Sequence, residues 1–125
     1  MKTPVSTKNA PSPSAPYSQA IIQDGFVFVS GQGPIDPATG QYVKSDIRSE
    51  TRRVFDNIRA ILEAAGTSFD KVVKVNVYLR EIGDFAAMNE VYATVFTAPY
   101  PARTTIQAGA LPRGFGVEIE CVAHV

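Results

Sequence analysis

The residues best suited to chemistry lie near the C-terminus, in Pro101-Ala102-Arg103-Thr104-Thr105 and Val117-Glu118-Ile119-Glu120-Cys121. Pro99 and Pro101 stop any helix from running into the first stretch, so Arg103 is rooted on a stiff, extended backbone. Its guanidinium is a planar fork that matches a carboxylate in bidentate fashion. In the second stretch Glu118 and Glu120 alternate with apolar residues. They share one strand face, about 7 Å apart. Paired carboxylates can separate their pKa values and serve as acid and base. Spacing leaves two readings open. Arg103 forms a surface ion pair with Glu118 or Glu120 on a wet strand face, or it anchors an anionic substrate beside an acid–base carboxylate. Tyr17 and Ser30, at strand ends, could offer hydroxyls to a polar ligand.

Other chemistries find no support. Gly31-Gln32-Gly33 lacks the glycines and the Lys-Ser/Thr of a phosphate loop, and no Gly-x-Ser-x-Gly elbow occurs. The one histidine, His124, stands next to the end, and the one cysteine, Cys121, allows no intrachain disulfide. No metal site and no cofactor are expected. Lys plus Arg equals Asp plus Glu, 12 each. That balance gives no support for a nucleic-acid or membrane partner. The opening MKTPVSTKNAPSPSAP has no apolar signal core, and no stretch reaches membrane-spanning length. A soluble, cytoplasmic protein is expected.

The elements that must position these residues follow from pattern. At 125 residues with 45% apolar and 19% charged content, the chain fits one domain over 1–125. Residues 1–16, rich in Pro, Ser and Thr, read as an extended segment with little drive to bury. Tyr17–Ile22 and Phe26–Ser30 flank Asp24-Gly25, a hairpin signal. Residues 31–44 read as a loop or a short edge strand. Ser45 or Asp46 can cap a helix that Gly66 ends. Along it Ile47, Thr51, Val54, Ile58, Ile61, Leu62 and Ala65 form the core stripe. Lys71–Arg80 alternates as a strand, with Val73, Val75, Val77 and Leu79 on one side. Asp84 is expected to cap a second helix with Phe85, Met88, Val91, Tyr92, Val95 and Phe96 on one stripe. Strands Arg103–Gln107 and Val117–Ala123 complete the order β-β-α-β-α-β-β. The expected fold is a two-layer α+β domain, one mixed sheet with two helices on one face. The other face would carry Asn76, Tyr78, Thr105, Glu118 and Glu120 with nothing to cover it. It meets either water or further copies of the chain.

The chain resembles the reactive intermediate deaminase (RidA, also YjgF or L-PSP) family from Ala10 to its end. The resemblance rests on Ala15-Pro16-Tyr17-Ser18-Gln19-Ala20, on Ser30-Gly31-Gln32 before Asp36-Pro37-Ala38-Thr39-Gly40, and on the run from Asn57 to Gly66. It continues through Met88-Asn89-Glu90-Val91-Tyr92 to Pro101-Ala102-Arg103-Thr104-Thr105 and Val117-Glu118-Ile119-Glu120, the most specific blocks. It implies a chorismate-mutase-like fold and a homotrimer with ligand clefts between subunits. The implied activity is hydrolysis of enamines and imines such as 2-aminoacrylate to 2-keto acids and ammonia. Arg103 would clamp the substrate carboxylate and Glu118 would handle water and protons. Tyr17, Ser30, Gly31, Asn89 and Thr105 would contribute further substrate contacts. Some members carry cysteine where this chain has Thr105, so no thiol mechanism applies. The competing expectations are a non-catalytic trimeric binder of small carboxylates, and a ribonuclease or translation inhibitor, against which the charge balance argues.

Overall fold

A computed structural model describes residues 1–125. Its main sheet has six strands in the order β1-β2-β3-β8-β6-β7. These are β1 (Thr3–Val5), β2 (Ala20–Gln23), β3 (Phe26–Gln32), β6 (Val72–Leu79), β7 (Ala102–Gln107) and β8 (Val117–His124). A separate small ribbon pairs β4 (Ile35–Asp36) with β5 (Gln41–Tyr42), where a loop or edge strand was expected. The helices are α1 (Ile47–Ala64) and α2 (Phe85–Val95). All pairings in the main sheet are antiparallel except β6 with β7. A parallel pair needs a crossover, and α2 supplies it. The expected mixed sheet with two helices is therefore present.

One core lies between the sheet and the helices. Val54, Phe55, Ile58, Ile61 and Leu62 of α1 and Met88, Val91 and Tyr92 of α2 meet Val75, Val77 and Leu79 of β6 and Val117, Ile119 and Cys121 of β8. Asp46 caps α1, its Oδ1 accepting from the Ser49 amide at 3.0 Å. Gly66, at φ +80°, ends it. There the Thr67 amide donates to Leu62 O at 2.9 Å and the Gly66 amide to Glu63 O at 3.0 Å, the paired bonds of a Schellman closure.

Five expectations need correction. The N-terminal segment is not a loose tail: Thr3–Val5 pairs with β2, and Val5 and Ala10 are buried. The buried Gln19 amide explains this. Its Nε2 donates to the carbonyls of Thr7, Ala10 and Pro11, and its Oε1 accepts from the Thr7 amide. Strand β2 starts at Ala20, not at Tyr17 as expected, so Tyr17 lies in the loop before it. Val73 is exposed and Val72 is buried in its place, because the register against β8 shifts between Val72 and Lys74. Such a bulge moves the alternation by one residue. Asp84 stands at the start of α2, but its side chain makes no capping bond, and a 3₁₀ turn (Ile82–Asp84) leads into the helix instead.

The fifth correction concerns faces. Thr105 is in register with Val77 and Arg103 with Val75. Both therefore project to the helix side of the sheet, not to the open side with Asn76 and Tyr78. The open side carries Glu118 opposite Tyr78 and Glu120 opposite Asn76.

Candidate active site

Arg103 rises from β7 toward α2. Its Nη1 donates to Asn89 Oδ1 at 2.7 Å. Its guanidinium carbon lies 4.5 Å from the ring centre of Tyr92 and 5.4 Å from that of Phe85. Phe85, Asn89 and Tyr92 stand at i, i+4 and i+7 on α2, so one helix face builds the whole cradle. The aromatic rings attract the cation and fix its plane. No carboxylate lies within 4.0 Å of Arg103, since the chain's ion pairs are Arg48–Glu90, Arg53–Asp56 and Arg59–Asp56. The surface ion pair with Glu118 or Glu120 does not form. A half-buried guanidinium is thus held by a neutral amide and two rings, with donors left for an anion. Tyr100 and Pro101 line the hollow in front of it.

Glu118 sits on the other side of the sheet. Burial, and secondarily the Glu120 carboxylate, push its pKa above the ordinary glutamate value. Glu120 differs from it, because its Oε1 accepts from the Tyr78 hydroxyl at 2.9 Å. One carboxylate is tied into the sheet and the other is held toward its protonated form. Gly31 lets Glu118 fold back on β3: a Cβ built there would lie 2.6 Å from Glu118 Oε2. Tyr17, half exposed, and Ser30 flank the same spot with Gly31. The Ser30 hydroxyl donates to Ser18 O at 2.6 Å, which leaves its lone pairs free to accept.

The structure therefore brings the predicted residues together in two groups. Arg103 and Asn89 form one, and Tyr17, Ser30, Gly31 and Glu118 form the other, with the sheet between them. Thr105 lies beside Arg103 on the strand, but its hydroxyl is buried without a partner and does not line the hollow. Tyr92 and Phe85 were both read from sequence as core stripe; Tyr92 is buried there, whereas Phe85 is 40% exposed, and together they form the platform for Arg103. Their spacing from Asn89 was the available signal. On the Glu118 side a cavity of about 220 Å³ runs on past Gln32 to Arg113 and Phe115, and Arg113 carried no sequence signal.

A family model described as Endoribonuclease L-PSP matches residues 7–125. The chain belongs to this family. A RutC family protein of Pyrococcus horikoshii is 52% identical over 99% of this chain and 98% of its own. A 2-iminobutanoate/2-iminopropanoate deaminase of Capra hircus is 45% identical over 95% of this chain and 87% of its own. Among solved structures, TdcF of E. coli with bound serine superposes with a TM-score of 0.93 at 36% identity, covering 98% of each chain. Membership in the L-PSP family and the deaminase relatives together support deamination of reactive intermediates as the general activity. No helix is long and apolar enough to cross a membrane.

Proposed function

We propose that this L-PSP family chain is a homotrimeric hydrolase that converts 2-enamino and 2-imino acids, such as 2-aminoacrylate, to 2-keto acids and ammonia. The observation that carries the reading is the pair of half-sites. An unpaired guanidinium is held ready for a carboxylate, and a half-buried glutamate with a raised pKa stands across the sheet from it. One copy cannot bring the two to one substrate. Two copies can, if the open face of one meets the Arg103 edge of the next. That face is suited to association: Phe26, Phe28 and Ile106 on it are 43%, 47% and 46% exposed. Closed cyclic symmetry then places one cleft at each interface.

Within the cleft Arg103 of the partner subunit binds the substrate carboxylate in bidentate fashion. Glu118 stands at the imine carbon. The enamine tautomerises to an imine, whose carbon is already electrophilic. Water adds across C=N, one proton passing to nitrogen. The carbinolamine then collapses to the ketone as the second proton follows, and ammonia leaves. Glu118, whose pKa burial raises above the ordinary glutamate value, can give and take these protons. Proximity and one proton relay suffice, because the carbon needs no stronger nucleophile than water. Tyr17, Ser30 and the backbone at Gly31 border the position of the reacting atoms. Asn89 acts through Arg103 by fixing its orientation.

The serine held by the TdcF relative also suits a second reading, a trimeric binder of small amino or keto acids without turnover. The two readings differ at Glu118, since a binder of carboxylates gains nothing from a nearby anion. The test generates 2-aminoacrylate or 2-iminobutanoate with a dehydratase or oxidase and follows its decay with and without the protein. Faster decay with stoichiometric ammonia supports the hydrolase. Binding of 2-oxobutanoate without faster decay supports the binder.

A further inference from the structure

The cavity beside Glu118 is larger and more polar than a 2-aminoacrylate or 2-iminobutanoate requires. Beyond Tyr17 and Gly31 it is lined by Ser12, Ser14, Gln32 and Arg113. A methyl or ethyl side chain entering it would make no hydrogen bond or ion pair with these groups.

Arg113 is the cation of this lining, and two observations mark it. Its charge is unpaired: it takes part in none of the chain's ion pairs. Its Nη1 donates to Gly40 O at 3.0 Å, which ties the Pro112–Gly114 turn to the β4–β5 ribbon and leaves other donors free. Its backbone is also in the left-handed region, at φ 54°, ψ 12°. The chain's other left-handed non-glycine residue is Asp24, an ordinary occupant of such a turn. Arginine is not, and a backbone that favours Gly or Asn is here given a long cationic side chain. A residue kept against its backbone preference points to a task for the side chain. Glu118 and Arg113 line the same cavity, and no ion pair joins them.

We infer that the preferred substrates are 2-imino acids whose side chain ends in a second carboxylate, with Arg113 receiving that distal carboxylate. The inference rests on the deaminase reading for its reaction. The α-carboxylate lies on Arg103 of the partner subunit, the imine carbon lies at Glu118, and the side chain runs along the cavity to Arg113. Ser12, Ser14 and Gln32 supply polar walls along the way. The step is unchanged: water adds to C=N, the C–N bond breaks, and a 2-keto dicarboxylate and ammonia result.

The experiment compares 2-iminosuccinate and 2-iminoglutarate, generated by oxidation of aspartate and glutamate, with 2-iminobutanoate. Wild-type protein should hydrolyse the acidic imines with kcat/KM equal to or above that for 2-iminobutanoate. Arg113→Met keeps the length and the backbone demand of the side chain while removing the charge. It should lower kcat/KM for the acidic imines by about tenfold or more and leave 2-iminobutanoate within about twofold. Arg113→Lys should recover part of the loss. Wild-type protein that hydrolyses 2-iminobutanoate but not the acidic imines would overturn the inference. Equal losses on both substrates in Arg113→Met would do the same. If no imine is hydrolysed, the deaminase reading fails, and titration with 2-oxoglutarate and 2-oxobutanoate decides on Arg113 separately. Weaker binding of 2-oxoglutarate alone in Arg113→Met upholds its role, and equal affinities in wild type and variant remove it.

Discussion

At Arg103 the cradle matters more than the charge. A solvent-exposed ion pair is worth about 0–1 kcal/mol, and lysine could replace the arginine in it. A guanidinium fixed by Asn89 and stacked on Tyr92 is set up for a fork-shaped contact that lysine cannot reproduce. Arg103→Ala should abolish turnover and weaken binding of 2-oxobutanoate by roughly 2–5 kcal/mol, and Arg103→Lys should restore only part. Calorimetric titration reads the binding. Melting curves should fall by only a few degrees, since what is lost is packing on two rings. Unchanged affinity in Arg103→Ala would return the residue to a purely structural part. For Glu118 the expectation has two arms. Glu118→Gln should cut turnover by about 10²–10⁴-fold, the usual effect of removing an acid–base group, and Glu120→Gln far less, because Glu120 is bonded to Tyr78. The second arm is stability. Burial raises the Glu118 pKa, so the folded state binds its proton more tightly than the unfolded chain does. That contribution is complete below the ordinary glutamate value and is lost as pH rises through the raised one. The melting temperature of Glu118→Gln relative to wild type should therefore climb with pH across that window. A difference that is flat in pH contradicts the assigned environment.

Strand β3 and the loops around it decide whether Glu118 is presented correctly, and two glycines there separate function from fold. At Gly31 an added Cβ meets the far end of Glu118, a flexible group that can move. Gly31→Ala should leave the melting temperature nearly unchanged and reduce turnover by displacing the carboxylate. At Gly33 the added Cβ meets the Phe115 ring, which is buried and packs edge-on against Tyr42 at 5.0 Å. Overpacking of that kind costs about 1–3 kcal/mol, so Gly33→Ala should lower the melting temperature measurably. Equal effects of the two on stability would contradict this division. The same elements show what pattern alone can reveal. Helix α1 was legible from its apolar stripe and its terminal Asp46 and Gly66, because capping and periodicity are local. Strand β1 was not, because three residues without alternation acquire a partner only through the buried Gln19 amide, a contact distant in sequence. The Val73 bulge was hidden for a similar reason, since four valines and a leucine fit two registers equally well until β8 selects one. The face of Thr105 depended on whether β7 pairs parallel with β6, which no local signal states. Arg103 and Glu118 could be singled out as residues, but their separation by the sheet could not.

That separation has its consequence at the level of the assembly. A mass near three times 13.5 kDa by light scattering is expected for the homotrimer, and a monomer at micromolar concentration would leave Arg103 and Glu118 with no common cleft. Mass alone does not show that two subunits share each site, whereas mixing inactive variants does. Arg103→Ala subunits keep Glu118, and Glu118→Gln subunits keep Arg103. Each homotrimer should be inactive. After denaturation and refolding together at equal amounts, a cleft is complete only where a Glu118→Gln subunit supplies the arginine and an Arg103→Ala subunit supplies the glutamate. Random assembly makes that combination at about one cleft in four (½ × ½), given one cleft per interface in a closed ring. Roughly a quarter of wild-type activity should therefore return, and none when the two homotrimers are mixed without exchange. Native mass spectrometry of the refolded mixture verifies that mixed trimers formed. Mixed trimers without recovered activity would place both residues of each working site in a single chain, which the opposed faces of the sheet do not allow, and the shared-cleft mechanism would then be wrong.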